Sequence, residues 1–141
     1  MSLVWREQLS VGNNVIDGDH KYLIEIINEV EQSLMAKNKI ALAATLDKLA
    51  KYSQVHFDRE ERIAQAAGYT QVPNLSQTHQ ALAHKLEQMT GEIDALGQTW
   101  SAEAIAQFTG FLRDWLLDHV IKEDLLMKPV LQKYSPSFDP R

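Results

Sequence analysis

The stretch Asn74–Leu96, NLSQTHQALAHKLEQMTGEIDAL, decides the fold class. Its interior positions recur in alternating steps of four and three residues, and they are Leu75, His79, Leu82, Leu86, Met89, Ile93 and Leu96. This spacing turns one face of an α-helix toward an apolar core. Gly97 follows directly and supplies the backbone freedom that commonly ends a helix.

Three other stretches carry the same period. We predict helices from about Gly18 to Lys37, from about Lys39 to Ala67, and from the N-cap residue Ser101 to the neighbourhood of Pro129. In the last helix the expected interior positions are Ile105, Phe108, Leu112, Leu116, His119, Leu126 and Val130. The links between the helices are short, and short links join antiparallel neighbours. The sequence therefore predicts an all-α, antiparallel up-down-up-down four-helix bundle with an N-terminal arm.

The chain is short enough for a single domain over residues 1–141. We expect a bundle over 18–133, preceded by an arm over 1–17 and followed by a tail over 134–141. The arm is expected to be ordered because its apolar side chains need burial: Val4, Trp5, Leu9, Val11 and Ile16. The tail from Ser135 onward holds two prolines and is expected to be loose.

Composition excludes several classes of function. Cysteine is absent, so disulfides and metal–thiolate sites are impossible, and any metal must be held by nitrogen and oxygen. The formal net charge of −5 argues against a nucleic-acid surface. We find no apolar run of the length a membrane span needs and no secretory signal at the N-terminus, so we expect a soluble, cytoplasmic protein without a membrane partner.

Polar residues lie on helix faces that should be apolar. His20, His56, His79 and His119 each fall on the interior face of a different helix, and Glu60 lies one turn after His56. A buried carboxylate costs several kcal/mol unless it is compensated. A metal ion compensates all of these side chains together, and imidazoles with carboxylates suit iron, manganese or zinc. The interior faces carry no Glu-x-x-His pair, so the predicted site is richer in histidine than those of ferritin-like bundles.

These residues also occur within short sequence motifs that follow one another in a characteristic order. The phrases are Ile16–Lys21 (IDGDHK), His56–Glu60 (HFDRE), a lone His79, and Trp115–His119 (WLLDH) with Asp124 five residues later. Together they resemble the bacterial haemerythrins over nearly the whole chain. The resemblance implies a pair of iron ions with an oxo or hydroxo bridge, and an open position for dioxygen.

The resemblance also implies a role for each ligand. Glu60 and Asp124 would bridge the two irons, His20 and His56 would bind one, and His79 and His119 the other. Helical periodicity alone does not select Asp124, because Glu123 lies four residues after His119 and would share its face.

One position departs from the family pattern. Haemerythrins carry two histidines one turn apart on the third helix, and Leu75 stands where the first would be. His84 is the only other histidine nearby, and it lies opposite the interior face. We expect His84 to be a surface residue; the alternatives are a shifted alignment or a π-bulge that turns it inward.

The expected function is dioxygen binding for carriage, storage, delivery or sensing, rather than catalysis. The oxygen pocket is expected to be lined by Phe57, Leu75, Trp115, Leu116 and Val120. Three other functions stay open: a di-iron oxidase or peroxidase that uses the position lost at Leu75, a bundle that binds another metal, and a helical interaction domain without metal. No serine–histidine arrangement or glycine-rich phosphate loop suggests a different chemistry.

Overall fold

The computed structural model describes residues 3–97 and 100–140, and the side chain of His119 is excluded from that description. Every regular element in these ranges is helical. A short 3-10 turn at Glu7–Leu9 precedes α1 (Asn14–Met35), α2 (Lys39–Ala66), α3 (Val72–Ala95), α4 (Ala102–Asp114), a π-helical segment (Trp115–Ile121), α5 (Lys122–Leu125) and α6 (Lys128–Leu131).

Side chains cap the starts of three helices. Ser101 accepts the backbone N–H of Ala104, so the N-cap predicted for the fourth helix is confirmed. Asn38 caps α2 in the same way. Asn13 accepts the N–H groups of the second and third residues of α1, and this capping explains why α1 begins ahead of the expected Gly18.

Two helices end in the same left-handed turn. After α2, Gly68 has φ +84°, and the N–H of Tyr69 reaches back to the carbonyl of Ala64 at 3.0 Å. After α1, Lys37 has φ +53°, and the N–H of Asn38 reaches the carbonyl of Ser33 at 3.1 Å. Both are Schellman motifs, but only the first uses the glycine that favours a left-handed backbone.

The helices pack as the sequence predicts. α1 contacts α2 and α4, α2 contacts α3, and the π-helical segment contacts both α1 and α3. The all-helical bundle fold is confirmed. No helix within the described ranges is both apolar enough and long enough to cross a bilayer.

The core consists of two apolar clusters. The larger contains Leu23, Leu49, Leu82 and Leu116 among its members, and the smaller contains Ile16, Ile63, Leu75 and Met127 among its members. On each helix the predicted metal ligands lie between a residue of one cluster and a residue of the other. The fold therefore holds the polar site in a layer between two apolar layers.

The π-helical segment changes the register of the last helix. A π turn holds one extra residue, so later side chains rotate away from the positions that a continuous α-helix predicts. Leu126 is 60% exposed and Val130 only half-buried, although regular periodicity predicts both in the core. Met127 and Leu131 occupy the core instead. The prediction for Leu126 is wrong for this reason.

Both ends of the chain are tied to the bundle. In the arm Val11 and Ile16 are buried as predicted, but Val4 is 71% exposed, so its predicted burial is wrong. In the tail, the carbonyl of Phe138 accepts the side-chain amide of Asn13 at 2.9 Å. The ring of Phe138 stacks on Tyr134. The hydrogen bond to Asn13 places the tail beside the start of α1.

Candidate metal centre

Four buried side chains converge at the centre of the bundle. They are His20 from α1, His56 and Glu60 from α2, and Asp124 from α5, and each offers a ligand atom within 4.8 Å of the others. All four residues are 0% exposed. This is the one such grouping among the described side chains, and three separate segments build it.

The contacts within this group pair nitrogen with oxygen. His20 Nε2 lies 2.7 Å from Asp124 Oδ2, and His56 Nε2 lies 2.9 Å from Glu60 Oε2. The cross distances are longer, with His56 Nε2 at 3.6 Å from Asp124 Oδ2. Both imidazoles therefore point the same nitrogen, Nε2, into the space between the two carboxylates.

His79 reaches the carboxylate of Glu60 from α3. Its Nε2 lies 3.1 Å from Glu60 Oε1, the oxygen that faces away from His56. Glu60 thus presents one oxygen to the imidazoles of α1 and α2 and the other to the imidazole of α3. A carboxylate in this position has the geometry to bridge two cations.

The outward nitrogens of two imidazoles also have partners. His56 Nδ1 donates to Asp19 Oδ2 at 2.9 Å, and His79 Nδ1 donates to Glu61 Oε2 at 2.8 Å. Ligating histidines usually carry such carboxylate partners, because the hydrogen bond fixes the tautomer and the ring orientation. Asp19 and Glu61 were not among the residues singled out from the sequence. Their positions beside His20 and Glu60 were the available signal.

The centre holds several buried polar atoms that make no hydrogen bond. They are His20 Nδ1, His56 Nε2, Glu60 Oε2 and Asp124 Oδ1. An unsatisfied buried polar atom costs about 1–3 kcal/mol, and more when it belongs to a charged group. Two of these atoms, His56 Nε2 and Glu60 Oε2, lie 2.9 Å apart in the shared space between the helices, which is the arrangement that a cation would complete. The donor set of imidazoles and carboxylates therefore fits a metal on physical grounds.

The electrostatics show how the protein balances these charges. Burial alone would lower the pKa of His56, but Glu60, Asp124 and Asp19 hold that pKa well above its ordinary value. Burial and the neighbouring Asp124 raise the pKa of Glu60. Burial opposes ionisation of Asp124 too, yet its close contacts with Glu60, His20 and His56 hold its pKa below the ordinary value. The centre therefore attracts positive charge.

The position of Asp124 answers a question that periodicity left open. Asp124 is 0% exposed, whereas Glu123 is half-buried. The extra residue of the π-helical segment turns Asp124 inward and Glu123 toward the side of the helix. His119 lies in that segment, and its side chain is outside the described part of the structure.

The five residues predicted to line the oxygen pocket belong to the two apolar clusters. Phe57, Trp115, Leu116 and Val120 pack in the larger cluster, and the ring of Phe57 stacks on His79 with centroids 4.1 Å apart. Leu75 is 2% exposed and belongs to the smaller cluster. His84 is exposed, as expected, and no π turn interrupts α3.

Comparison with known proteins supports this description. Residues 11–131 match the family model described as "Hemerythrin HHE cation binding domain". The "Bacteriohemerythrin" of Pseudomonas aeruginosa strain PAO1 is 29% identical over 122 residues, which cover 86% of this chain and 76% of that protein. The "Bacteriohemerythrin" of Methylococcus capsulatus is 29% identical over 133 residues, covering 93% and 98%. A "Hemerythrin-like protein" of Naegleria gruberi is 26% identical over 127 residues, covering 90% and 92%.

Solved structures agree with the sequence comparison. A wild-type hemerythrin crystal structure superposes with a TM-score of 0.76 at 25% identity, covering 92% of this chain and 97% of that one. The family match spans most of the 141 residues and includes every residue of the candidate centre. This chain therefore belongs to the hemerythrin HHE cation binding domain family.

Proposed function

We propose that the protein is a non-haem di-iron protein that binds dioxygen reversibly. The observation that carries this proposal is the convergence of His20, His56, Glu60 and Asp124 on one buried space, with His79 reaching Glu60 from the opposite side. Membership of a cation-binding family supports the same conclusion.

The ligands divide into two halves that share their carboxylates. His20 and His56 would hold one iron, His79 and His119 the other, and Glu60 and Asp124 would bridge the pair. The two oxygens of Glu60 support this division, because they face His56 and His79 at 2.9 Å and 3.1 Å. When bound, the iron pair supplies the electrons and the open coordination position that dioxygen binding requires.

The protein walls favour binding over further reaction. Phe57, Trp115, Leu116 and Val120 are each 0–1% exposed and exclude water from the larger cluster. The indole N–H of Trp115 donates to the carbonyl of Leu82 at 2.9 Å, so this wall offers no free proton donor. A dry wall without a free donor slows the proton delivery that irreversible reduction of dioxygen needs.

A second candidate function rests on Leu75. This side chain is 2% exposed and lies one helical turn from His79, on the same face of α3. It cannot bind metal, so the His79 half of the centre has one imidazole fewer than the family pattern. A second open position on that iron would favour a di-iron oxidase or peroxidase.

The test is anaerobic loading with two equivalents of ferrous iron, followed by optical spectra through repeated cycles of oxygenation and deoxygenation. A spectrum that changes and recovers over several cycles supports reversible binding. Rapid, permanent oxidation with turnover of a reductant supports the enzyme. The His84→Ala variant is the matched control, because it removes an imidazole that lies outside the centre.

A protein that excludes iron and retains zinc would contradict both di-iron functions. Metal analysis of the purified protein distinguishes that outcome from a failure of the oxygenation step alone.

A further inference from the structure

The imidazoles of His56 and His79 are supported unequally. On the His56 side, the partner of the outward nitrogen is Asp19, which is itself 4% exposed. Both oxygens of Asp19 are held: Oδ1 accepts the phenol of Tyr52 at 2.6 Å, and Oδ2 faces His56 at 2.9 Å. The guanidinium of Arg59 also approaches Oδ2, at 3.5 Å.

This network, built from two helices, holds the His56 ring in place. Asp19 belongs to α1, and the side chains that hold it belong to α2. An ionised Asp19 can only accept, so the proton of His56 stays on Nδ1 and Nε2 faces the centre. The ring therefore needs little further ordering when a metal binds.

The His79 side has a weaker support. Its outward nitrogen donates to Glu61, whose side chain is 27% exposed. Among the described side chains, His79 is the one polar partner of Glu61. A partly solvated carboxylate with one contact holds the imidazole less rigidly than Asp19 does. Its electrostatic interaction with the imidazole is also weaker, because water screens it.

The described donors lie closest together on the α1–α2 side. The four-residue group within 4.8 Å includes His20 and His56 but not His79. Leu75, which shares the interior face of α3 with His79, supplies an aliphatic side chain in place of a ligand. The firmer support of the His56 ring by Asp19 therefore favours the α1–α2 half over His79.

Given the proposed metal centre, we propose that Asp19 is the positioning residue that makes the His20–His56 half bind the first metal ion, ahead of the His79 half. Asp19 acts by holding the His56 ring and by raising the basicity of its inward nitrogen. Tyr52 acts through Asp19, since its hydroxyl holds the other carboxylate oxygen. Metal then enters in two separable steps.

The order of filling can be measured with cobalt(II) alone. The chelator-treated full chain is titrated with Co²⁺ against a competing chelator, and the ligand-field absorption of each equivalent is recorded. The wild type is expected to show one tight equivalent and a second that binds at least tenfold more weakly. The absorption of the first equivalent identifies an imidazole–carboxylate environment independently of any activity.

Two carboxylate variants should act on different steps. Asp19→Asn keeps the size of the side chain and removes its charge, and we expect roughly 10–100-fold weaker binding of the first equivalent with a shifted absorption band. Glu61→Gln should weaken the second equivalent and leave the first within about twofold. A merely structural role would change the melting temperature without shifting the band of one particular step.

Tyr52 and Tyr22 form the matched control pair. Their rings contact each other at 4.6 Å, but only Tyr52 donates to Asp19. Tyr52→Phe should weaken the first step several-fold, and Tyr22→Phe should leave both steps unchanged.

Two results are decisive. If the wild type binds two equivalents in a single step, or if Asp19→Asn and Glu61→Gln weaken both steps equally, the order of filling is wrong while the metal centre stands. If the wild type binds no Co²⁺, the metal centre itself is wrong.

Discussion

Replacing Glu60 with glutamine should stabilise the protein without metal and destabilise it with metal. Glu60 is 0% exposed, and its Oε2 makes no hydrogen bond. Its pKa is raised from the ordinary value of 4.5 by burial and by Asp124. The folded chain therefore resists the ionised form of Glu60, and a neutral amide of the same size relieves that resistance.

The magnitude and the pH window follow from these facts. An incompletely paired buried charge costs at least about 1–3 kcal/mol, and its removal is the gain we expect for metal-free Glu60→Gln at pH 8. Because the folded pKa is raised, the folded chain keeps the proton of Glu60 at pH values where the unfolded chain has lost it. The contribution of Glu60 to wild-type stability therefore falls as the pH rises above about 4.5, and the advantage of the variant grows over that range and vanishes below it.

The assay is urea denaturation of chelator-treated protein at pH 4, 6 and 8, repeated with saturating Co²⁺. With Co²⁺ the wild type should gain stability in proportion to its affinity, and Glu60→Gln should lose most of that gain. Glu25→Gln is the control, since Glu25 is exposed on α1 and its replacement should change stability by less than about 0.5 kcal/mol. A metal-free Glu60→Gln protein that is no more stable than the wild type at pH 8 would refute the reasoning.

Three further predictions concern single positions. Leu75→His should increase the iron retained after desalting and slow its oxidation in air, whereas unchanged metal content would mean that this position does not face the centre. Arg113→Met should destabilise the fold by about 1–3 kcal/mol, measured by thermal unfolding. The change removes the partner of the Glu31 carboxylate, which is 8% exposed and accepts the Nε–H of Arg113 at 2.8 Å. Lys37 and Gly68 both have a left-handed backbone conformation, which glycine adopts more readily than other residues. Lys37→Gly should therefore raise the free energy of unfolding by about 1 kcal/mol. Gly68→Ala should lower it by about 1–2 kcal/mol, through the backbone alone, because an added Cβ meets no atom within 4 Å. Equal shifts in the same direction for these two variants would contradict the backbone argument.

The spacing of residues along the sequence predicts much of the candidate site. The spacing of His56 and Glu60 places both on one helical face, and the exposed position of His84 follows from the same wheel. The partners Asp19 and Glu61 do not follow from it, because each lies beside a predicted ligand in sequence and turns to a different helix in space. The last helix also departs from simple periodicity, because the π-helical segment rotates Asp124 inward and Leu126 outward.

The sequence by itself determined the helical bundle, the apolar faces and the residues that carry imidazole and carboxylate groups to its interior, because helical periodicity is a property of neighbouring residues. The tertiary structure decided which carboxylate of the last helix enters the centre, that Glu60 faces imidazoles on two sides, and that His56 and His79 have unequal partners. These features depend on distances between side chains on different helices, such as His20 and Asp124 at 2.7 Å. A pattern of local spacing carries no information about such distances.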